Sequence, residues 1–220
     1  MNELLLFIEI IVIFSIILLA KRLFGKNGLF LWIGIASVLA NLQVVKCIDV
    51  FGISATLGNV LFASNFLATD ILSECYGKES AKKGVHIGLF SVIVYLIITQ
   101  LTLLYIPNEF DTAQDAMSVL FNLSLRVSIA SLTMFYIANL ADVYLYNKLH
   151  KKFKGKKMWL RNNISTISCN CLENFGFTFL AFMGLYPLSE LLVIAFSTCV
   201  IEIGIALCDT PFLYLAKKAR

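Results

Sequence analysis

Lys148-Leu149-His150-Lys151-Lys152-Phe153-Lys154-Gly155-Lys156-Lys157-Met158-Trp159-Leu160-Arg161 is a short basic gap between two long apolar runs. Moving outward from it, the gaps between apolar runs alternate. Lys21–Lys26, Lys78–Lys83 and Lys217–Arg220 are basic, whereas the gaps between them hold Lys46 and the acids Asp49, Glu109, Asp111, Asp115 and Glu190. Of the 18 Lys and Arg residues, only Lys46 and Arg126 lie outside the four basic gaps, and Arg126 alone is inside a run. Basic residues kept on every second side of a series of apolar runs mark a chain that crosses a membrane repeatedly, with its basic loops in the cytoplasm.

A spanning helix needs about 20 apolar residues. The runs predict helices near 3–20, 28–46, 56–76, 85–106, 118–147, 162–186 and 188–216. The expected fold is an all-α integral membrane protein, a bundle of six to seven transmembrane helices forming one domain over 1–220. The N-terminus is outside, the C-terminus is cytoplasmic, and the first helix is able to stand outside a six-helix core. The first run resembles a signal peptide in length. It lacks a basic leader, and Lys21-Arg22 stand where a small-residue cleavage site belongs, so it reads as a retained helix. Gly52 and Gly58 interrupt the start of the third span. Such breaks are tolerated only where the backbone faces protein or a cavity.

Composition agrees. The 220 residues are 59% hydrophobic and 15% charged, with a mean hydropathy of +0.84, against about half apolar and about 25% charged in soluble domains. The net charge of +4 comes from short loop caps and argues against nucleic-acid binding. Cys47, Cys75, Cys169, Cys171, Cys199 and Cys208 fall mostly within helices, where thiols behave as small hydrophobes. Cys169 and Cys171 are two apart and point in different directions, so no metal pair is expected. His86 and His150 are expected to be solvated at the cytoplasmic face. No metalloprotease motif, phosphate loop or serine elbow is present, and no cofactor is implied.

The informative residues are polar ones within the runs, where a charge costs at least ~2.5 kcal/mol to bury. Asp70 and Glu74 lie four apart in Thr69-Asp70-Ile71-Leu72-Ser73-Glu74-Cys75-Tyr76-Gly77 and share a helix face. The plainer reading is a helix end with solvated acids capped by Gly77. It suits Glu74, beside Lys78, better than Asp70, a full turn deeper. Asn139 with Asp142, and Asn170 with Glu173, each place an amide and a carboxylate at i and i+3. The two helices are antiparallel around the basic loop. Asp142 lies about 9 Å and Glu173 about 18 Å from its ends along the axis, which puts both clusters in the inner half to middle of the bilayer, at depths where they are able to face each other. Interhelical glue is the alternative, but glue ordinarily uses neutral side chains. An amide beside a carboxylate suits a flat, nitrogen-rich ring: the acid accepts two N–H donors, and the amide both donates and accepts. Phe62, Phe66, Phe135, Tyr136, Phe175 and Phe177 are close enough in sequence to stack on one. Arg126 is expected near the outer end of its span, paired with an acid such as Glu9 or snorkelling outward. Glu202 and Asp209 face either partner helices or the cavity.

At these residues the chain resembles the YhhQ-type queuosine precursor transporters, the VUT family, from about residue 35 to 215. The first similar segment runs Ala40-Asn41 through Lys46, then Phe51-Gly52, then Phe66-Leu67-Ala68-Thr69-Asp70-Ile71-Leu72-Ser73-Glu74-Cys75-Tyr76-Gly77-Lys78. The second is Arg126 with Ala130-Ser131 and Asn139-Leu140-Ala141-Asp142-Val143-Tyr144. The third is Trp159-Leu160-Arg161-Asn162-Asn163-Ile164-Ser165-Thr166 with Asn170, Glu173 and Phe177. The family pattern commonly has Gln in place of Asn139 and Asn170, and Asp-Thr in place of Glu173-Asn174, which redistributes the volume of the pocket.

The resemblance implies a multi-pass importer in the bacterial inner membrane. Its ligand would be a 7-deazaguanine base, preQ0, preQ1 or queuine, destined for tRNA queuosine modification. A homo-oligomer is left open. Asn41, Phe66, Arg161 and Ser165 join Asp70, Glu74, Asn139, Asp142, Asn170 and Glu173 as candidate substrate contacts. Glu173 or Asp142 would accept from N1–H and the 2-amino group, and Asn139 and Asn170 would meet O6 or the ring nitrogens. Asp70 or Glu74 would meet a cationic aminomethyl arm. The rivals are a substrate-binding subunit of an energy-coupling-factor vitamin transporter, an intramembrane enzyme with paired carboxylates, and an assembly subunit whose charges pair with a partner's helices.

Overall fold

The computed structural model describes residues 1–122 and 125–218. Among them are eight helices and one hairpin: α1 (Asn2–Phe24), α2 (Lys26–Gln43), β1 (Cys47–Val50), β2 (Ile53–Thr56), α3 (Asn59–Tyr76), α4 (Lys78–Leu103), α5 (Gln114–Phe121), α6 (Leu125–Lys152), α7 (Met158–Phe182) and α8 (Leu188–Lys218). The chain is helical almost throughout. Four helices, α1, α4, α6 from Arg126 onward, and α8, are long and apolar enough to cross a membrane. α2 and α3 have 18 residues each, and α3 and α7 carry the polar residues described below.

α1, α2, α3, α4, α6, α7 and α8 overlap the seven expected runs, with ends that differ by up to seven residues. Two departures from the sequence reading stand out. The expected fifth span began at 118, but 118–121 belong to the separate short α5; residues 123 and 124 of that span lie outside the described residues, as does Arg220 of the last basic cap. Where an interrupted helix start was expected, β1 and β2 form an antiparallel hairpin, pairing Cys47 with Thr56 and Val50 with Ile53. Its two-residue turn, Phe51-Gly52, has positive φ at both positions (52° and 76°), the turn whose twist matches that of the strands. Asn2 Nδ2 donates to Asp49 O (2.9 Å) and Phe51 N to Glu3 Oε1 (3.3 Å), tying the hairpin to the start of α1.

Single glycines join α1 to α2 and α3 to α4. Gly25 (φ 58°) and Gly77 (φ 85°) reverse the chain in one step, a backbone geometry that costs a residue without a Cβ least. These reversals, with the short α6–α7 connection, gather the ends of α1, α3, α6 and α8 and the starts of α2, α4 and α7 at one pole. That pole carries the four basic segments. Lys21 Nζ of α1 donates there to Ala216 O of α8. Inside the bundle, Phe14, Ile17, Leu29, Ile33, Leu67 and Ile71 are buried. Outward rows such as Leu4, Ile8, Ile11, Ile97, Val193 and Val200 are exposed, the arrangement expected of a bundle whose surroundings are apolar.

Candidate functional site

The polar residues inside the bundle are ordered in layers. α3 and α6 both run toward the basic pole, and they meet in register at steps of four residues: Phe66 with Ala138, Asp70 with Asp142, Glu74 with Tyr146. α7 runs the other way and adds one set of residues to each step. The outermost layer is Phe66, Ala138 and Cys169, all buried and packed together.

One turn inward is the acid layer. Asp70 and Asp142 are fully buried and lie within side-chain reach of each other, with Ser165 beside Asp142. Thr166 Oγ1 donates to Asp70 Oδ2 at 3.4 Å. From α8, Asp209 lies within coulombic reach of both acids, and Asn162 Nδ2 donates to its Oδ1 at 2.5 Å. Asp70 Oδ1 and both carboxylate oxygens of Asp142 have no hydrogen-bond partner. Nor do both amide atoms of Asn65, both of Asn170, and Asn139 Oδ1. These asparagines adjoin Phe66, Cys169 and Ala138 in sequence, so the unpartnered amides sit at the level just outside the acids. An unsatisfied buried polar group costs about 1–3 kcal/mol. Of the sixteen buried side-chain polar atoms without a partner among the described residues, eight belong to these five residues, which would offer a polar ligand free donors and acceptors.

The innermost layer is ionic. The Glu74 side chain, only 2% exposed, pairs with Arg161 Nη2 (2.8 Å) and Lys217 Nζ (2.6 Å). It accepts from Tyr146 OH (3.0 Å) and has His150 Nδ1 at 3.5 Å. Arg161 is fully buried, its guanidinium 5.0 Å from the Tyr146 ring centre and in contact with His150. α3, α6, α7 and α8 are thus locked together at the basic pole.

Several expectations are thereby corrected. Glu74 is not a solvated acid at a helix end, because its two cations come from chain segments far away in sequence. His150 is not simply solvated but joins that cluster, and His86 is exposed yet bonded to Tyr136 OH at 3.2 Å. Arg126 does not reach Glu9: its Nε and Nη2 donate to Leu180 O (2.9 Å) and Met183 O (2.6 Å), closing the end of α7. Arg126 also borders a largely apolar cleft of about 520 Å³ with Ile129, Ala130, Thr133 and Leu180, at the opposite end of the bundle from the ionic layer.

Of the expected contacts, Phe66 lies in the outer layer and Asp70, Asp142 and Ser165 meet in the acid layer; Asn139 and Asn170 are buried, next in sequence to Ala138 and Cys169 of the outer layer. Glu74 and Arg161 meet each other one turn further in. Glu173 does not face Asp142. It is half-buried one turn beyond Asn170, where it feels the charge of Glu202 on α8, and Asn174 Nδ2 donates to Glu202 Oε2 at 2.7 Å. Asn41 is buried on α2, its amide folded back onto Ser37 O (2.8 Å). Glu202 and Asp209 both face α7. Asn65 was not singled out from the sequence, and Asn162 and Thr166 entered only as part of the third similar segment. The signal for Asn65 was available, since an amide inside an apolar run carries the same burial cost that exposed Asp70. Among the described residues, no group of His, Cys, Asp and Glu is arranged to hold a metal ion.

Fold and site together define a multi-pass helical membrane protein with an enclosed layer of unpartnered carboxylates and amides, the class to which small-solute carriers belong. Residues 56–216 match a family described as "Putative vitamin uptake transporter". The chain is 41% identical over 209 residues to a protein of Bacillus subtilis (strain 168) named "Probable queuosine precursor transporter", covering 94% of this chain and 91% of that one. The chain therefore belongs to this family of uptake transporters. It is similar also to "Probable queuosine precursor transporter" of Haemophilus influenzae, 26% identical over 133 residues (60% of this chain, 54% of that one). A third relative, "Queuosine precursor transporter" of Escherichia coli (strain K12), is 24% identical over 145 residues (65% and 62%). No solved structure matches the chain.

Proposed function

We propose that the chain imports queuosine precursors, the 7-deazaguanine bases preQ0, preQ1 or queuine, across the bacterial inner membrane to supply tRNA modification. The observation that carries this reading is the set of unpartnered buried carboxylates and amides between the outer and ionic layers, in a chain whose relatives are named for these solutes. A 7-deazaguanine presents an N1–H and 2-amino donor edge and an O6 acceptor, the complement of a carboxylate and an amide. Asn170 and Glu173 share a face of α7 one turn apart. Asn170 donates to O6, Glu173 accepts from N1–H and the 2-amino group, and Phe66 stacks on the ring. Asp142 stands instead beside Asp70, which favours Glu173 as the acid that reads the base edge.

The chain forms a single transmembrane unit of seven spans over 1–220, with the N-terminus outside and the basic pole cytoplasmic. A carrier exposes one site to each side in turn. In this reading the Glu74–Arg161–Lys217 layer closes the inner side. The activity is transport without an enzymatic step, as the names of the relatives suggest. The test is thermal stability of the purified protein in detergent with preQ0, preQ1, queuine and guanine, since a ligand that binds only the folded state stabilises it. Stabilisation by a 7-deazaguanine and not by guanine is expected, and Glu173→Gln weakens every base by roughly tenfold or more. No stabilisation by any precursor, or wild-type affinity in Glu173→Gln, removes the reading or that residue's role respectively.

A second reading, a substrate-binding subunit that needs a separate ATPase, fits a family described as vitamin uptake transporters and a sequence without a phosphate-loop motif. Uptake by this chain alone in a foreign membrane decides between the two.

A further inference from the structure

We infer that the solute carried by this site bears a positive charge, and that Asp70 and Asp142 hold its protonated amine, so the chain selects aminomethyl-bearing 7-deazaguanines over the neutral nitrile. The inference rests on the queuosine-precursor reading of the same site and names which member of that class it takes.

The argument starts from register. Because α3 and α6 run parallel and meet every four residues, Asp70 and Asp142 are brought face to face at one level of the bundle, fully buried. Asp209 adds a third carboxylate within coulombic reach from α8. Among the described residues these three acids take part in no ion pair, and the cations nearest along the same helices are engaged elsewhere. Arg161 Nη2 is 2.8 Å and Lys217 Nζ 2.6 Å from Glu74, with His150 beside it. Among the described residues this level receives neutral donors: Thr166 Oγ1 to Asp70 and Asn162 Nδ2 to Asp209, while Ser165 Oγ, beside Asp142, donates to Asn162 O. Three of the four oxygens of Asp70 and Asp142 remain unpartnered. Like charges gathered in a low-dielectric interior repel, and a cation among them removes that repulsion. A neutral guanine-like edge satisfies donors and acceptors but brings no charge, whereas an aminomethyl group brings an ammonium with three N–H donors, matching three free oxygens.

Spacing along α7 agrees. From the level of Ser165 and Thr166, Asn170 is one turn outward and Glu173 about two, a separation of roughly 11 Å along the axis. A base whose donor edge meets Glu173 and whose O6 meets Asn170 extends its amine arm toward the acid pair. A carboxylate at the far end of a nitrile would find no proton to accept.

The test is calorimetric binding of preQ1 and preQ0 to the purified full chain. The two share the ring and differ in an aminomethyl against a nitrile. A charge-assisted contact to a buried acid makes preQ1 bind at least about tenfold more tightly, and Asp142→Asn brings that ratio below about threefold. Equal affinities in the wild type overturn the charge inference and leave the importer reading standing. A ratio that Asp142→Asn leaves intact moves the cation away from the acid pair and overturns it too. If neither base binds, the importer reading fails and this inference fails with it. Should Asp142→Asn not fold, the wild-type ratio alone decides.

Discussion

Asp142 is buried with neither carboxylate oxygen satisfied and a second carboxylate opposite it. Such a side chain destabilises the protein that keeps it. Replacement by Asn supplies an amide that donates to Asp70 and removes the repulsion, so Asp142→Asn is expected to raise the melting temperature in detergent. The gain should correspond to about 1–3 kcal/mol, and preQ1 binding falls at the same time. A lower melting temperature would show that Asp142 is held by partners it lacks in this structure. This is also why the site was partly legible in the sequence. Asp70, Asn139, Asp142, Asn170 and Glu173 announce themselves because each interrupts an apolar run at a high cost. The pairing of Glu74 with Arg161 and Lys217 was not legible. It joins residues 87 and 143 positions apart, and nothing local distinguishes a buried ion pair from a solvated charge beside a basic loop.

At the scale of the element, the four-residue register between α3 and α6 carries the site. The runs revealed that both helices exist and run the same way, but not that they are neighbours, so Asp142 was expected opposite Glu173 rather than Asp70. The hairpin escaped for a related reason: its turn is Phe51-Gly52, without the Asn-Gly signature, and its strands are four residues each. The ionic layer yields a prediction of its own. Glu74→Gln loses both ion pairs and leaves Arg161 buried without its anion, an arrangement that costs about 3–5 kcal/mol. The seam between α3 and its partners then opens more often. In a chain whose only thiol is Cys75, which adjoins Glu74 and is half-buried, alkylation by a membrane-impermeant maleimide from the basic side should accelerate several-fold. An unchanged rate would mean that the layer is structural glue and not a closure.

At the scale of the whole molecule, charge asymmetry is the most legible property, because it is a collective bias that survives errors of a few residues at any helix end. It predicts that a thiol placed at position 2 is labelled from outside intact cells and one placed at 218 only after permeabilisation. Labelling of both from the same side would reject seven spans in favour of an even number. The two positions lie at opposite poles, one beside the hairpin and one beside the ionic layer, so the measurement also reports which pole faces the cytoplasm.

The one-residue reversals at Gly25 and Gly77 restrict how such a molecule moves. A single peptide step gives no slack, so α3 and α4 are bound at the basic pole like two boards at a spine, and so are α1 and α2. Neither pair is able to part there. An aperture on that side has to open along other seams, such as those of α3 with α6 and α8, of α4 with α6 or of α1 with α8. Two glycines that lie outside the polar layers thus narrow where the bundle is able to open at its basic pole.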